Sequence, residues 1–178
     1  DVFDLYLDRL DGSKRFLIQP EVDQLRAYRH LLDEQAKEGD FSFFNLSMDL
    51  INQGVERTRS YYQELLAQPF DLEKIETIEL DGEKKAFAKD EEALREYWRK
   101  TLKYETISRL HNRLRKQEKK KEQAIEEGEE FEAESIEEIE ARVREDILED
   151  YTKWFERIDE LRREDRLTTY LNALTNSF

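Results

Sequence analysis

Asp90-Glu91-Glu92-Ala93-Leu94-Arg95-Glu96-Tyr97-Trp98-Arg99-Lys100-Thr101-Leu102-Lys103 opens the stretch that decides the fold. Asp90 is a good N-cap, because its short side chain can accept from a first-turn N–H that has no partner inside the helix. Leu94, Trp98 and Leu102, followed by Ile107, Leu110 and Leu114, continue an apolar stripe at helical spacing. The stripe gives out in Arg115-Lys116-Gln117-Glu118-Lys119-Lys120-Lys121, and Gly128 among acidic residues breaks the pattern. Ser135-Ile136-Glu137-Glu138 then reads as a capping box, with the serine at the N-cap and Glu138 three residues on. From there Ile136, Ile139, Val143, Ile147, Tyr151, Trp154, Ile158 and Leu161 recur at near-heptad spacing. Two such helices joined at Gly128 predict a long antiparallel helical hairpin over about 90–162, apolar at its base and charged at its tip.

On the N-terminal side, Phe3, Tyr6, Leu7 and Leu10 mark one face of a short helix that stops at Asp11-Gly12-Ser13. Pro20 and Glu21 suit a helix start. The face Val22, Leu25, Arg29 and Leu32 predicts one helix running on to Gly39. Phe44, Met48, Ile51, Val55, Thr58, Tyr62 and Leu65 predict another from about Phe41 to Ala67, ended by Pro69. The two form an antiparallel pair between Glu21 and Gln68, joined at Gly39-Asp40, and Gly54 marks the close approach of a further helix. Ile75, Thr77, Ile78 and Leu80 before Asp81-Gly82 predict a short extended segment near 71–88, laid across helices as an irregular arm. Asp165 caps a last helix from Leu167 to Asn176, with Leu167, Tyr170, Leu171 and Leu174 on its buried face. The fold class is therefore all-α, an elongated multi-helix arrangement, with 1–178 forming a single helical domain.

Composition agrees. Charged residues make up 42% against 38% hydrophobic, and five Gly and two Pro leave few breaks, as long exposed helices require. Periodic apolar positions and 11% aromatic residues argue against disorder. A net charge of −14 repels the nucleic-acid backbone and anionic membrane surfaces, which excludes both as general partners. The absence of Cys excludes disulfides and thiolate metal sites without fixing a compartment. No apolar run approaches the roughly 20 residues that span a bilayer. The chain opens at Asp1 and its one methionine is Met48, the pattern expected of a processed product or a segment of a longer polypeptide.

Candidate chemical groups each have an ordinary structural role. The serines at 13, 42, 47, 60, 108, 135 and 177 fall at turns, caps or helix faces, and none has the small-residue setting of an activated nucleophile. His30 and His111 have no Glu three residues before them and no second His four residues away, and read as helix-face residues. Arg113 to Lys121 lacks interleaved aromatics and abuts the acidic run from Glu126 to Glu140, so it reads as a solvated hairpin tip with i, i+4 ion pairs. No residue is assigned a catalytic, cofactor-binding or metal role. Trp98 and Trp154 are expected in one layer of the hairpin base. Phe41, Phe43 and Phe44 cannot share one face in one regular turn, so either one of them, Phe43 first, stands outward or packs on a neighbouring domain, or the helix start is irregular enough to bury all three.

The stretch from Phe3 to Leu17 runs helix, acidic turn, aromatic, and its Tyr6-Leu7-x-x-Leu10 is echoed by Tyr170-Leu171-x-x-Leu174. Together with Asp90 to Lys103, this resembles the N-terminal helical region of tail-specific (carboxy-terminal processing) serine proteases. The resemblance implies a parent serine endopeptidase of the periplasm that cleaves proteins with apolar C-termini. Its Ser/Lys pair would lie in a catalytic domain outside this chain. This chain would brace the PDZ and catalytic domains and help position or admit protein substrates or adaptor proteins, with no cofactor. Read from its residues alone, the chain is an acidic all-helical interaction domain. A free-standing coiled-coil-like adaptor that dimerises along the hairpin stripes is the competing reading.

Overall fold

A computed structural model describes residues 1–175 of the chain. The expected helix end at Asn176, with Ser177 and Phe178, lies outside the described residues. Seven helices follow in order: α1 (Val2–Asp11), α2 (Gln19–Arg26), α3 (Leu32–Glu38), α4 (Ser42–Leu66), α5 (Glu91–Glu127), α6 (Ile136–Asp159) and α7 (Arg163–Thr175). There is no strand among the described residues, and the one extended pairing is an isolated parallel bridge between Ile18 and Ala88.

The hairpin forms as its caps dictate. Asp90 Oδ1 accepts from the Ala93 N–H at 2.8 Å. Ser135 and Glu138 exchange side-chain-to-backbone bonds of 3.2 and 2.9 Å at the start of α6. Gly128 ends α5 at φ 72°, a left-handed turn that a side chain would strain. With 37 residues, α5 is about 55 Å long, and α6 returns along it. Leu94, Trp98 and Leu102 of α5 meet Val143, Ile147, Tyr151 and Phe155 of α6, all buried. α4 packs against both helices, closing the base with Ile51, Val55, Tyr62 and Leu66. Trp98 and Trp154 do share a layer, with ring centroids 6.3 Å apart. Phe155 is the more deeply buried aromatic of α6 and touches Tyr62, Trp98 and Trp154.

Five expectations need correction. The helix expected to run from Pro20 to Gly39 breaks at 27–31, where Tyr28, Arg29 and Leu31 make tight bonds to the third residue before them. That kink lets Arg29 pair with Asp1 and Asp4 at 2.6 and 2.7 Å while Tyr28 and Leu32 turn to the core. Phe43 faces inward and Phe41 is the half-exposed member of its trio, because α4 is walled on two sides. Phe43 packs against Phe3, Tyr6 and Tyr28, and Phe44 stacks on Tyr170 of α7. α7 begins at Arg163 rather than Leu167, so Asp165 lies inside its first turn and reaches back to the Arg162 N–H at 3.1 Å. On that helix Ala173 is buried and Leu171 largely exposed. Gly54 is needed for contact with an extended segment, not a helix: a Cβ there would stand 2.7 Å from the Phe16 carbonyl oxygen.

That segment, residues 12–18, is the densest polar knot of the fold. Asp11, buried at the end of α1, accepts backbone N–H bonds from Arg15, Phe16 and Leu17 at 2.8, 3.0 and 2.8 Å. Trp98 Nε1 donates to the Arg15 carbonyl at 2.8 Å, and Arg57 donates to the Phe16 carbonyl while also pairing with Glu21. Lys85 donates to the Ser13 and Lys14 carbonyls at 3.0 and 2.8 Å, and the Lys14 amine returns a bond to the Lys85 carbonyl. α1, α2, α4, α5 and the 71–88 arm are thereby tied at one loop.

The knot gives stability a pH dependence. Burial pushes Lys85 down to about 7 from 10.5, opposed by the charge of Asp11 and aided by Arg15 and Lys14. Between those two values the unfolded chain binds the proton and the folded chain does not, so folding gains as pH rises through that window. Burial pushes Asp11 up to about 6, opposed by its three N–H donors and by Lys85. The folded chain therefore holds that proton between 3.8 and 6, and this contribution is lost as pH rises across it. Thermal melts of the wild type and Lys85→Met should separate in the wild type's favour from about pH 7 to about pH 10. A gap that ignores pH would contradict this assignment.

Candidate protein-docking surface

The 71–88 arm packs its end, Phe87 and Ala88, against the core, while its middle lies on α5 through the acid Glu76. Glu76 receives Arg99 Nη1 at 3.1 Å, a second close bond from Arg99 Nη2, Lys103 Nζ at 2.9 Å and Lys74 Nζ at 3.1 Å. These cations, Arg99 first, hold its carboxyl well below the usual carboxylate range. Lys103 is itself buried and also donates to the Lys74 carbonyl at 2.6 Å, while Lys100 donates to the Thr77 carbonyl at 3.3 Å. A buried lysine needs such pairing, because leaving its charge without a partner in a low-dielectric site is costly.

In an extended chain neighbouring side chains point to opposite sides. With Glu76 turned in toward α5, Ile75 is turned out and is 98% exposed. Around it Leu72, Tyr104 and Ile107 also stand exposed, bordering a groove of about 240 Å³ that includes Thr77 and Ile78. Leu80 is half-exposed farther along the arm. The expectation of an irregular arm across helices holds in outline. What sequence reasoning missed is that the ion cluster, and not Ile75 or Leu80, supplies the anchor. Arg99 and Lys103 one turn apart on α5 are the signal, although nothing local points them at Glu76. An apolar surface held outward by part-buried ion pairs is available to another protein surface.

A family model described as the tail specific protease N-terminal domain matches residues 1–178. The chain belongs to that family. A curated relative, the Tail-specific protease of Haemophilus influenzae, is 32% identical over 109 residues. That match takes in 60% of this chain but 16% of the relative's length, so the aligned stretch is a small part of that protein.

In this tail-specific protease N-terminal domain four of the serine hydroxyls have structural partners. Ser42 bonds to Asp40, Ser47 to the Tyr6 hydroxyl and the Phe44 carbonyl, Ser60 to the Arg57 carbonyl, and Ser135 caps α6. Ser47 and Tyr6 are a fully buried pair that the sequence did not reveal, joined at 2.8 Å across α4 and α1. His30 lies in the turn between α2 and α3 rather than on a helix, and His111 is exposed on α5. Among the described residues no three Asp, Glu or His side chains converge as metal ligands, and no helix is long and apolar enough to cross a membrane. At the hairpin tip one ion pair joins α5 to α6 and another joins α6 to the 129–135 loop, in place of pairs along one helix. Arg113 bonds Asp146 and Arg142 bonds Glu134, while Gln117 holds the Glu134 backbone at 3.0 and 3.1 Å.

Proposed function

We propose that this chain is a non-catalytic scaffold of a periplasmic tail-specific serine endopeptidase, packing against the rest of that protease to position or admit protein substrates or adaptors. In this reading the Ser/Lys pair lies in the remainder of the polypeptide, along with the peptide-binding domain. The single observation that carries it is the exposed face of Ile75, Leu72, Tyr104 and Ile107, held outward by the Glu76 ion cluster. Support also comes from family membership and from the large share of the Haemophilus influenzae relative that lies beyond the aligned stretch. The coiled-coil adaptor reading is less favoured, because Leu94, Trp98, Leu102, Val143, Ile147 and Tyr151 are already buried inside one chain.

The test is a double substitution, Leu72→Asp with Ile75→Asp. In the isolated domain it should change unfolding free energy by no more than about 0.5 kcal/mol, because both side chains are exposed. In the complete protease it should lower proteolysis of a protein substrate at least fivefold. Full activity with a normal melt would remove the docking role.

A further inference from the structure

Two clefts meet where α1, α4, α6 and α7 converge, one of about 320 Å³ and one of about 170 Å³. Met48, Leu161 and Arg166 line both, so the Arg166 guanidinium stands at their junction. Arg166 is half-buried, and burial pushes its pKa down, opposed in small part by Tyr6. Among the described residues none accepts a hydrogen bond from its side chain or forms an ion pair with it.

The carboxylates that border the clefts are already engaged. Glu56 and Asp159 both bind Arg59, at 3.2 and 2.6 Å. Asp165 is occupied by Arg162 through the backbone N–H at 3.1 Å. Several partly buried arginines of this acidic chain have carboxylates: Arg57 has Glu21, Arg99 has Glu76, and Arg144 has Glu140. Among the described residues Arg15 has none but is turned to the Tyr151 hydroxyl at 3.4 Å and the Trp154 ring, whereas Arg166 has none and opens on the clefts. A partly desolvated guanidinium facing open space gains when a carboxylate arrives, because part of the desolvation is already done and its planar donors suit a two-point bond.

We infer that Arg166 recognises an acidic side chain carried between apolar residues on a segment of another protein. The carboxylate is specified by the unpaired guanidinium. The apolar flanks are specified by the walls: Val55 and Ile158 line the larger cleft, Leu10 the smaller, and Met48 and Leu161 both. Arg163 also lines the larger cleft, where Asn45 and the Phe44 ring engage it, and Arg9 the smaller, but Arg166 is the cation that both clefts share. Clefts on both sides of that shared cation fit a chain passing through, with one neighbour of the acid in each, whereas a terminal carboxylate would occupy one side alone. The site shares no residue with the Ile75 face, so the failure of either leaves the other standing.

Titration calorimetry on the whole chain tests this with an acetylated, amidated peptide Ser-Leu-Leu-Glu-Leu-Leu-Ser. Parallel arms use the same peptide with Gln for Glu, and a peptide whose sole carboxylate is its free C-terminus. The Glu peptide should bind at least tenfold tighter than either. Arg166→Met should abolish that preference, and Arg166→Lys should keep part of it, since an ammonium retains charge without the planar fork. Arg166→Met should also melt no lower than wild type, separating lost recognition from lost folding. Equal binding of the Glu and Gln peptides, binding of none, or preference for the free C-terminus would each overturn the inference.

Discussion

Asp11→Ala is expected to destabilise the domain by about 3 kcal/mol or more in urea denaturation, with the m-value unchanged. The carboxylate holds three consecutive backbone N–H groups, of which Phe16 and Leu17 are buried, and removing it leaves donors without partners. Each orphaned buried donor costs about 1–3 kcal/mol, and partial entry of water reduces the sum. Asp11→Asn separates acceptor from charge. Its one oxygen can take the Phe16 and Leu17 donors that Oδ2 now serves, which leaves the Arg15 N–H facing an amide NH₂. Because burial already opposes the ionised form of Asp11, the neutral amide should lose only about 1–2 kcal/mol at pH 7. If alanine costs no more than asparagine, the loop is not organised by this side chain.

Trp98→Ala should cost about 3–5 kcal/mol, the range for emptying a buried aromatic site. The ring is 1% exposed and contacts Tyr151, Trp154 and Phe155 of α6, so the void would open where α5 and α6 join. Its Nε1 donor is a second, separable contribution, because it holds the Arg15 carbonyl at 2.8 Å. Trp98→Phe keeps most of the packing and loses that bond, for an expected cost of about 1–2 kcal/mol. Trp154→Ala should cost less than Trp98→Ala, since Trp154 is only partly buried at the rim. Equal losses at the two tryptophans would contradict the depth order of the layer.

Helices whose order is local were legible in the chain. Asp90, Gly128 and Ser135 act through neighbours three to five residues away, so their roles as start, stop and start could be read directly. Phe43 is beyond a single-face helix argument, which cannot know that α4 is flanked both by α1 and by α7, which arrives from the far end of the chain. Asp11 looked like turn chemistry and proved to be the centre of a buried knot, since its three donors are close in sequence but its burial depends on distant elements. The candidate surface was the least legible part. Whether Ile75 or Glu76 faces α5 depends on Arg99 and Lys103, more than twenty residues on, and one step of register reverses the outcome.

The central claim, that the Ile75 face is covered in the whole protease, can be measured with a thiol. The chain contains no cysteine, so Ile75→Cys places one reactive group on that face. Maleimide labelling should be fast in the isolated domain and at least tenfold slower when the domain is part of a complete tail-specific protease. Equal labelling rates in the two contexts would contradict the account.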